Sequence, residues 1–250
     1  MTKKERGYLT ELYYFALSFF VYGFLGWCTE VAYAAAKQGK FVNRGFLNGP
    51  ICPVYGIGVG VVVQFLTPVE NNLVLLYISS TILVTVIEGI TGFLLEKIFQ
   101  NKWWDYSEQP LNIGGYVCVL FSLIWGVFCV LIVKIIHPLI YKVLTMIPLV
   151  LGIVVMACLA VGLLADLYVT ASGILKMNRR LEAMEKIAAE LKELSDKVGE
   201  NIYENVMEGM EFREEKKARI EELKAKYEEM AENRTKVGER LVKAFPKMQV

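Results

Sequence analysis

The chain has 250 residues, 55% of them hydrophobic, with a mean hydropathy of +0.41 and a formal net charge of +1. Residues 1–170 carry ten basic and nine acidic side chains, whereas residues 171–250 carry 17 of each. An apolar body with a densely charged but neutral tail excludes a soluble enzyme filling the whole length, a disordered chain and a surface of unpaired cations, so no nucleic-acid partner is expected.

A hydrocarbon core about 30 Å thick takes roughly 20 apolar residues of helix. Residues 12–36 form the first such stretch, too long for the apolar part of a cleaved signal peptide. Within it Gly23, Gly26, Trp27 and Glu30 fall on one side of the helix, where small residues admit a close neighbour. Residues 43–60 read NRGFLNGPICPVYGIGVG. Asn48-Gly49-Pro50 signals a turn and Pro53 suits the first turn of a helix. A short or partly broken span over 51–66 follows, and its start would point free N–H groups at whatever lies opposite.

Residues 72–95 form the next span, with Glu88 flanked by Thr85 and Thr91 on one face and Glu96 two turns on. Residues 102–115, KWWDYSEQPLNIGG, enclose Asp105 in an aromatic group of Trp103, Trp104 and Tyr106. Pro110, Asn112 and two glycines make this a polar, turn-prone segment, suited to a re-entrant or substrate-facing loop. Further spans are expected over 115–136 and 143–169. His137 stands before Pro138 at an expected helix end near the membrane interface. Beyond residue 170, Leu181, Met184, Ile187, Leu191, Leu194 and Val198 recur at helical spacing, as do Ile220, Leu223, Tyr227, Met230, Val237 and Leu241. These seams predict coiled-coil-like helices with breaks at Gly199 and Gly209 and an end at Pro246. The spacing suits equally a hairpin within one chain and association with a second copy or a partner helix.

The fold class is therefore all-α: a polytopic membrane protein of about five transmembrane helices (1–170) with a charged helical tail (171–250). With the N-terminus outside, eight basic residues fall on the inner side (Lys37, Lys40, Arg44, Lys97, Lys102, Lys176, Arg179, Arg180) against five outside, which places the tail in the cytoplasm. The five cysteines lie in or beside apolar runs with no CxxC spacing and read as reduced, packed thiols. One histidine leaves no His-based metal cluster. No metal or cofactor is expected, and no GxxxxGK[ST] loop gives the chain an ATPase of its own.

Three acids, Glu30, Glu88 and Asp166, fall within apolar spans that hold no Lys or Arg. Such groups are costly at membrane depth. They are protonated, bind a cation or meet a cation folded back from a loop, for which Arg44 is the candidate; the bland alternative is neutral carboxyls bonding across helices.

The segments GFLGWCTEVAY (23–33), NRGFLNGPICPVYGIG (43–58), EGITGFLLEK (88–97) and WWDYSEQPLNIGGYVC (103–118) resemble the ABC-transporter type IV (CmpB-like) family of bacterial multi-pass membrane proteins. The resemblance covers about residues 12–130 and leaves out the tail. It implies a permease-type protein of the bacterial inner membrane, with a separate ATPase subunit as an implied partner beside the lipid bilayer. The matching positions are Glu30, Arg44, Asn48, Gly49, Pro50, Pro53, Tyr55, Gly56, Glu88, Glu96, Trp103, Trp104, Asp105, Tyr106 and Asn112.

A transporter or permease component is the favoured function. Its candidate substrate- or ion-binding residues are Glu30, Arg44, Asn48, Tyr55, Glu88, Glu96, Trp103, Trp104, Asp105, Tyr106 and Asn112, and protons or cations suit the buried acids. One alternative is a membrane-embedded enzyme acting on lipid or an isoprenoid carrier. There Glu88, Glu96 or Asp105 would be acid, base or metal ligand, and Arg44 would hold a phosphate. The other is a scaffold or sensor working through its tail.

Overall fold

In the computed structural model, residues 3–204, 209–232 and 235–245 are described. Among these residues, eight α-helices follow in order: α1 (Lys3–Gln38), α2 (Pro53–Leu66), α3 (Leu73–Phe99), α4 (Val119–Leu131), α5 (His137–Leu144), α6 (Leu149–Glu204), α7 (Gly209–Glu232) and α8 (Lys236–Ala244). Two two-residue strands, β1 (Asn112–Ile113) and β2 (Val117–Cys118), pair antiparallel between α3 and α4. Among the described residues, four helical stretches are long and apolar enough to cross a membrane: Leu9–Gln38, Leu73–Phe99, Val119–Leu144 and Leu149–Lys197. The apolar helix of Pro53–Val69, which is α2 and the 3₁₀ turn after it, is shorter. The protein is an all-α polytopic membrane protein.

The chain divides into two compact units. In the first (residues up to 170, with 243–245) the helices alternate in direction and approach closely at glycines. A Cβ on Gly56 of α2 would stand 2.6 Å from Phe19 of α1. Small residues give such helices dispersion contact that lipid cannot replace. Val62, Leu66, Leu76, Cys129 and Val133 form a buried cluster of α2, α3 and the α4 region, and Tyr13, Leu17 and Leu144 form a second between α1 and α5. Large apolar side chains such as Val74, Val127, Val161 and Leu164 are exposed around this unit. An inside-out distribution of this kind suits lipid as solvent. All five cysteines are free thiols.

Several boundaries differ from the sequence expectation. The span expected from Gly115 begins at Val119, because Gly114 and Gly115 take positive φ (61° and 75°) and the Asn112 side chain accepts the Gly115 N–H, closing a hairpin. The span expected from Val143 starts at Leu149, after a turn over 145–148 that Pro148 completes. His137 stands inside a helical stretch and not at its end. Residues Ile132–Ile136 form a π turn, in which the His137 N–H reaches back to Ile132 O. Pro138 can donate no helical bond, and a π turn just before it absorbs the interruption. His137 Nδ1 lies 3.0 Å from the Tyr22 hydroxyl of α1.

In the second unit (171–242) the later part of α6 and α7 run antiparallel. Arg219 pairs with Glu190 at 3.0 Å, and Arg180 Nη2 donates to Ala231 O at 3.5 Å. Ile174, Met177, Ile187, Leu223 and Leu241 are buried between the tail helices. The intrachain hairpin, one of the two arrangements the spacing allows, is present. The helix runs through Gly199 to Glu204 without the expected break, and Gly209 opens α7. Pro246 lies outside the described residues.

Candidate functional site

Two loops at one end of the first unit build its polar centre. The loop of residues 39–52 is folded about Asn43, whose Oδ1 accepts the Trp27 indole N–H (2.9 Å) and the Gly45 N–H (3.0 Å), while its Nδ2 donates to Asn48 O (2.7 Å). The loop of residues 100–118 is folded by Asn112 and Trp104. Asn112 Nδ2 donates to Gln109 O at 2.8 Å, and Trp104 Nε1 donates to Tyr116 O at 2.8 Å.

These loops present side chains to the acids of the helices in three places. Glu30 of α1 accepts the Tyr55 hydroxyl proton through Oε1 at 2.8 Å and faces Arg44 Nε through Oε2 at 3.6 Å. The Arg44 guanidinium lies over the Tyr33 ring (4.7 Å) and the Phe245 ring (5.6 Å). Glu88 of α3 accepts the Tyr106 hydroxyl proton through Oε1 at 3.1 Å, and its Oε2 is buried without a hydrogen-bond partner among the described residues. Tyr106 itself stacks on Phe121 of α4 (4.9 Å, 20°). Burial pushes its phenol well above the ordinary value, and the charges of Glu88 and Glu30 push it further. The ring therefore lies, neutral, in the field of both carboxylates.

The third place is Asp166 of α6. It accepts from the backbone N–H groups of Asn48 (3.2 Å) and Gly49 (2.6 Å), the Asn48 side chain (2.9 Å) and the Thr170 hydroxyl (3.1 Å). The free N–H groups before α2 thus meet an acid of their own chain, which neutralises the need of both.

The remaining candidates lie apart. Glu96 stands beside the Tyr116 hydroxyl, and its carboxylate holds that phenol above its ordinary value. Asp105 is occupied by the Ser107 N–H and hydroxyl and lies 4.0 Å from Lys102. Trp103 is buried against Phe46 and Phe99. Thr85 shares its face with Glu88 but bonds back to Thr81 O (2.6 Å). Sequence reading misses Tyr33, Thr170, Phe121 and Phe245. Tyr33 and Thr170 follow Glu30 and Asp166 by three and four residues, so helical spacing is a usable signal for them; none marks Phe245.

A family model described as "Putative ABC-transporter type IV" matches residues 17–171. The chain belongs to this family. The matched stretch holds Glu30, Arg44, Tyr55, Glu88, Tyr106 and Asp166 and stops where the tail unit begins. No curated protein and no solved structure matches the chain. The type IV description accords with a membrane protein that works with a separate ATPase, and it names no substrate.

Proposed function

We propose that this chain is the membrane-embedded component of a transporter of the bacterial inner membrane, with Glu88, Glu30 and Tyr106 as its proton- or cation-handling centre. One observation carries the reading: the two acids are compensated unequally. Among the described residues Glu30 has Arg44 and Tyr55, whereas Glu88 has one phenol and a buried oxygen without a partner. A carboxyl at membrane depth needs a proton, a cation or a partner charge, and of these two acids Glu88 is the one left to take up and release; Glu96 Oε2, nearer the end of α3, also lacks a hydrogen-bond partner among the described residues. Tyr106 bonds Glu88 as a neutral donor. Arg44 is engaged by Glu30 and Tyr33, which weighs against the enzyme reading in which it would hold a phosphate. The tail is read as cytoplasmic from the excess of basic residues on that side, and a separate ATPase subunit is the partner the family description supports.

The test is Glu88→Gln, which keeps shape and hydrogen bonding but cannot ionise. We expect a folded, membrane-inserted protein that fails to complement the deletion strain, with Glu88→Asp retaining a fraction of function. Full complementation by Glu88→Gln at normal expression would overturn the reading.

A further inference from the structure

We propose that the junction of α2, α3 and α4 holds a hydrated path that leads from Glu88 past the hydroxyls of Ser122 and Ser80 and ends blind against an apolar plug. The path rests on the reading of Glu88 as the proton- or cation-handling acid, and it gives that acid a route into the membrane. Ser80 of α3 (0% exposed) and Ser122 of α4 (6%) are buried, and neither hydroxyl has a hydrogen-bond partner among the described residues. Two threonines of α3 behave differently: Thr81 donates to Tyr77 O (2.9 Å) and Thr85 to Thr81 O (2.6 Å). A helical serine can close on the preceding turn in the same way. These two stay open where helices meet, and an open hydroxyl in an apolar interior is costly. Water is the group that ordinarily satisfies such buried polar atoms.

Helix register sets the order of the three groups. Glu88 meets α4 at Phe121, through the ring of Tyr106. Gly126 of α4 lies against Tyr77 and Thr81 of α3. The two helices are therefore antiparallel, and from the loop end the order is Glu88, Ser122, Ser80. Ser80 stands one turn from Leu76 and Ser122 two turns from Cys129, each on the same face as its neighbour. Leu76 and Cys129 pack with Val62 and Leu66 of α2 and with Val133. Both hydroxyls thus face the three-helix junction on the loop side of that cluster. Glu88 and Ser80 are roughly 12 Å apart along α3. Ser122 divides that length into steps that one or two waters bridge at about 2.8 Å a bond. Beyond Ser80 the side chains of the cluster carry no hydroxyl and no charge, so the path stops there. A centre hydrated from one side only, with a closed apolar layer on the other, is what alternating access requires of a transporter.

The experiment uses the full-length protein in a non-ionic detergent and the silver ion as probe. A bare silver ion is no larger than water, and it binds a thiol with release of the thiol proton. Cys129, in the plug, is kept as the internal control, and the other four cysteines are replaced by alanine. Ser122→Cys and Ser80→Cys are then added singly. Each exchanges one atom, and circular dichroism verifies the fold. Silver adducts are counted over time by mass spectrometry of the intact protein. We expect Ser122→Cys to react first and Ser80→Cys next. Cys129 should react roughly a hundredfold more slowly than either, because an ion is costly inside an apolar layer. If both variants are as inert as Cys129, the serines close on their own helices and the path is overturned. Cys129 reacting as fast as Ser80→Cys would overturn the plug, and Ser80→Cys reacting before Ser122→Cys would overturn entry from the Glu88 side. The labelling needs no transported substrate. Inert thiols would therefore remove the path and leave Glu88 to its complementation test, whereas full complementation by Glu88→Gln would remove the centre whatever the thiols do.

Discussion

Tyr106 reaches back 18 residues to donate its hydroxyl proton to Glu88 at 3.1 Å, from a ring that Phe121 already holds in a stack at 4.9 Å. The loop thus hydrogen-bonds Glu88 through one atom pair, while the aromatic contact positions the phenol independently of that bond.

Because the two contacts are separable, Tyr106→Phe should keep the stack and lose only the donor. We expect unfolding stability to fall by about 1–3 kcal/mol, since a half-buried carboxyl loses its partner. In a cycle with Glu88→Leu, the second substitution should cost less in the Tyr106→Phe background, with a coupling of roughly 0.5–3 kcal/mol. Additive effects, measured by thermal unfolding in one detergent, would mean that the bond contributes nothing.

The alkaline titration of the same phenol gives a second expectation. Burial, then Glu88 and Glu30, raise it above the ordinary value of a tyrosine. The sign follows from linkage: the neutral phenol is favoured by folding, so its contribution is full below the unfolded value and is lost as pH rises through the folded one. Phenolate absorbance of the wild type minus that of Tyr106→Phe should therefore appear only at more alkaline pH than for a free tyrosine. In a Glu88→Gln background it should appear earlier. Titration of this residue at the ordinary value in the folded protein would contradict the burial described.

The helices are legible in the sequence because length and apolarity alone decide what can cross a bilayer, and Glu30, Glu88 and Asp166 stand out as charges in apolar runs. Arg44 is legible as a loop cation and meets Glu30, but the other partners are not legible. Asp166 meets Asn48 across 118 residues, and nothing local in either segment encodes that pairing. Thr85 misleads for the opposite reason: a shared helix face allows contact with Glu88, but a threonine can satisfy itself on the preceding turn, and here it does. Pro138 reads as a stop after His137, whereas a π turn lets the helix continue past it.

Gly26 ties α1 to α2 at the site itself. A Cβ there would overlap the Tyr55 ring, whose hydroxyl holds Glu30. Gly26→Ala should destabilise by about 1–3 kcal/mol through overpacking. Tyr55→Phe, which keeps the ring and removes the bond, should be milder. Unfolding of the two variants side by side checks this, and a Gly26→Ala protein as stable as wild type would show that the helices can separate freely.

The Asp166 latch predicts a graded series. Asp166→Asn keeps one acceptor oxygen for the N–H groups of Asn48 and Gly49, whereas Asp166→Ala leaves both without it. Proteolysis of the loop of residues 39–52 should therefore rise slightly in the first variant and strongly in the second. Equal resistance of all three proteins would show that the loop is held by Asn43 alone.

Membrane sidedness follows from ring contacts. Phe46 lies 5.5 Å from Trp103, which brings the loops after α1 and α3 to one end, and Asn48 Nδ2 donates to Thr170 at the same end. The opposite end holds the start of α1, where Tyr14 lies 5.1 Å from Tyr141 of α5, and the turn between α2 and α3. Single cysteines at Lys40, Glu108 and Ser195 in a Cys-free background should therefore react with an impermeant maleimide from one side, and a cysteine at Asn71 from the other. The proposed orientation, which makes the first side the cytoplasmic one, expects intact cells to label only Asn71→Cys. Labelling of Asn71→Cys and Ser195→Cys from the same side would break the alternation of helix directions on which the whole site depends.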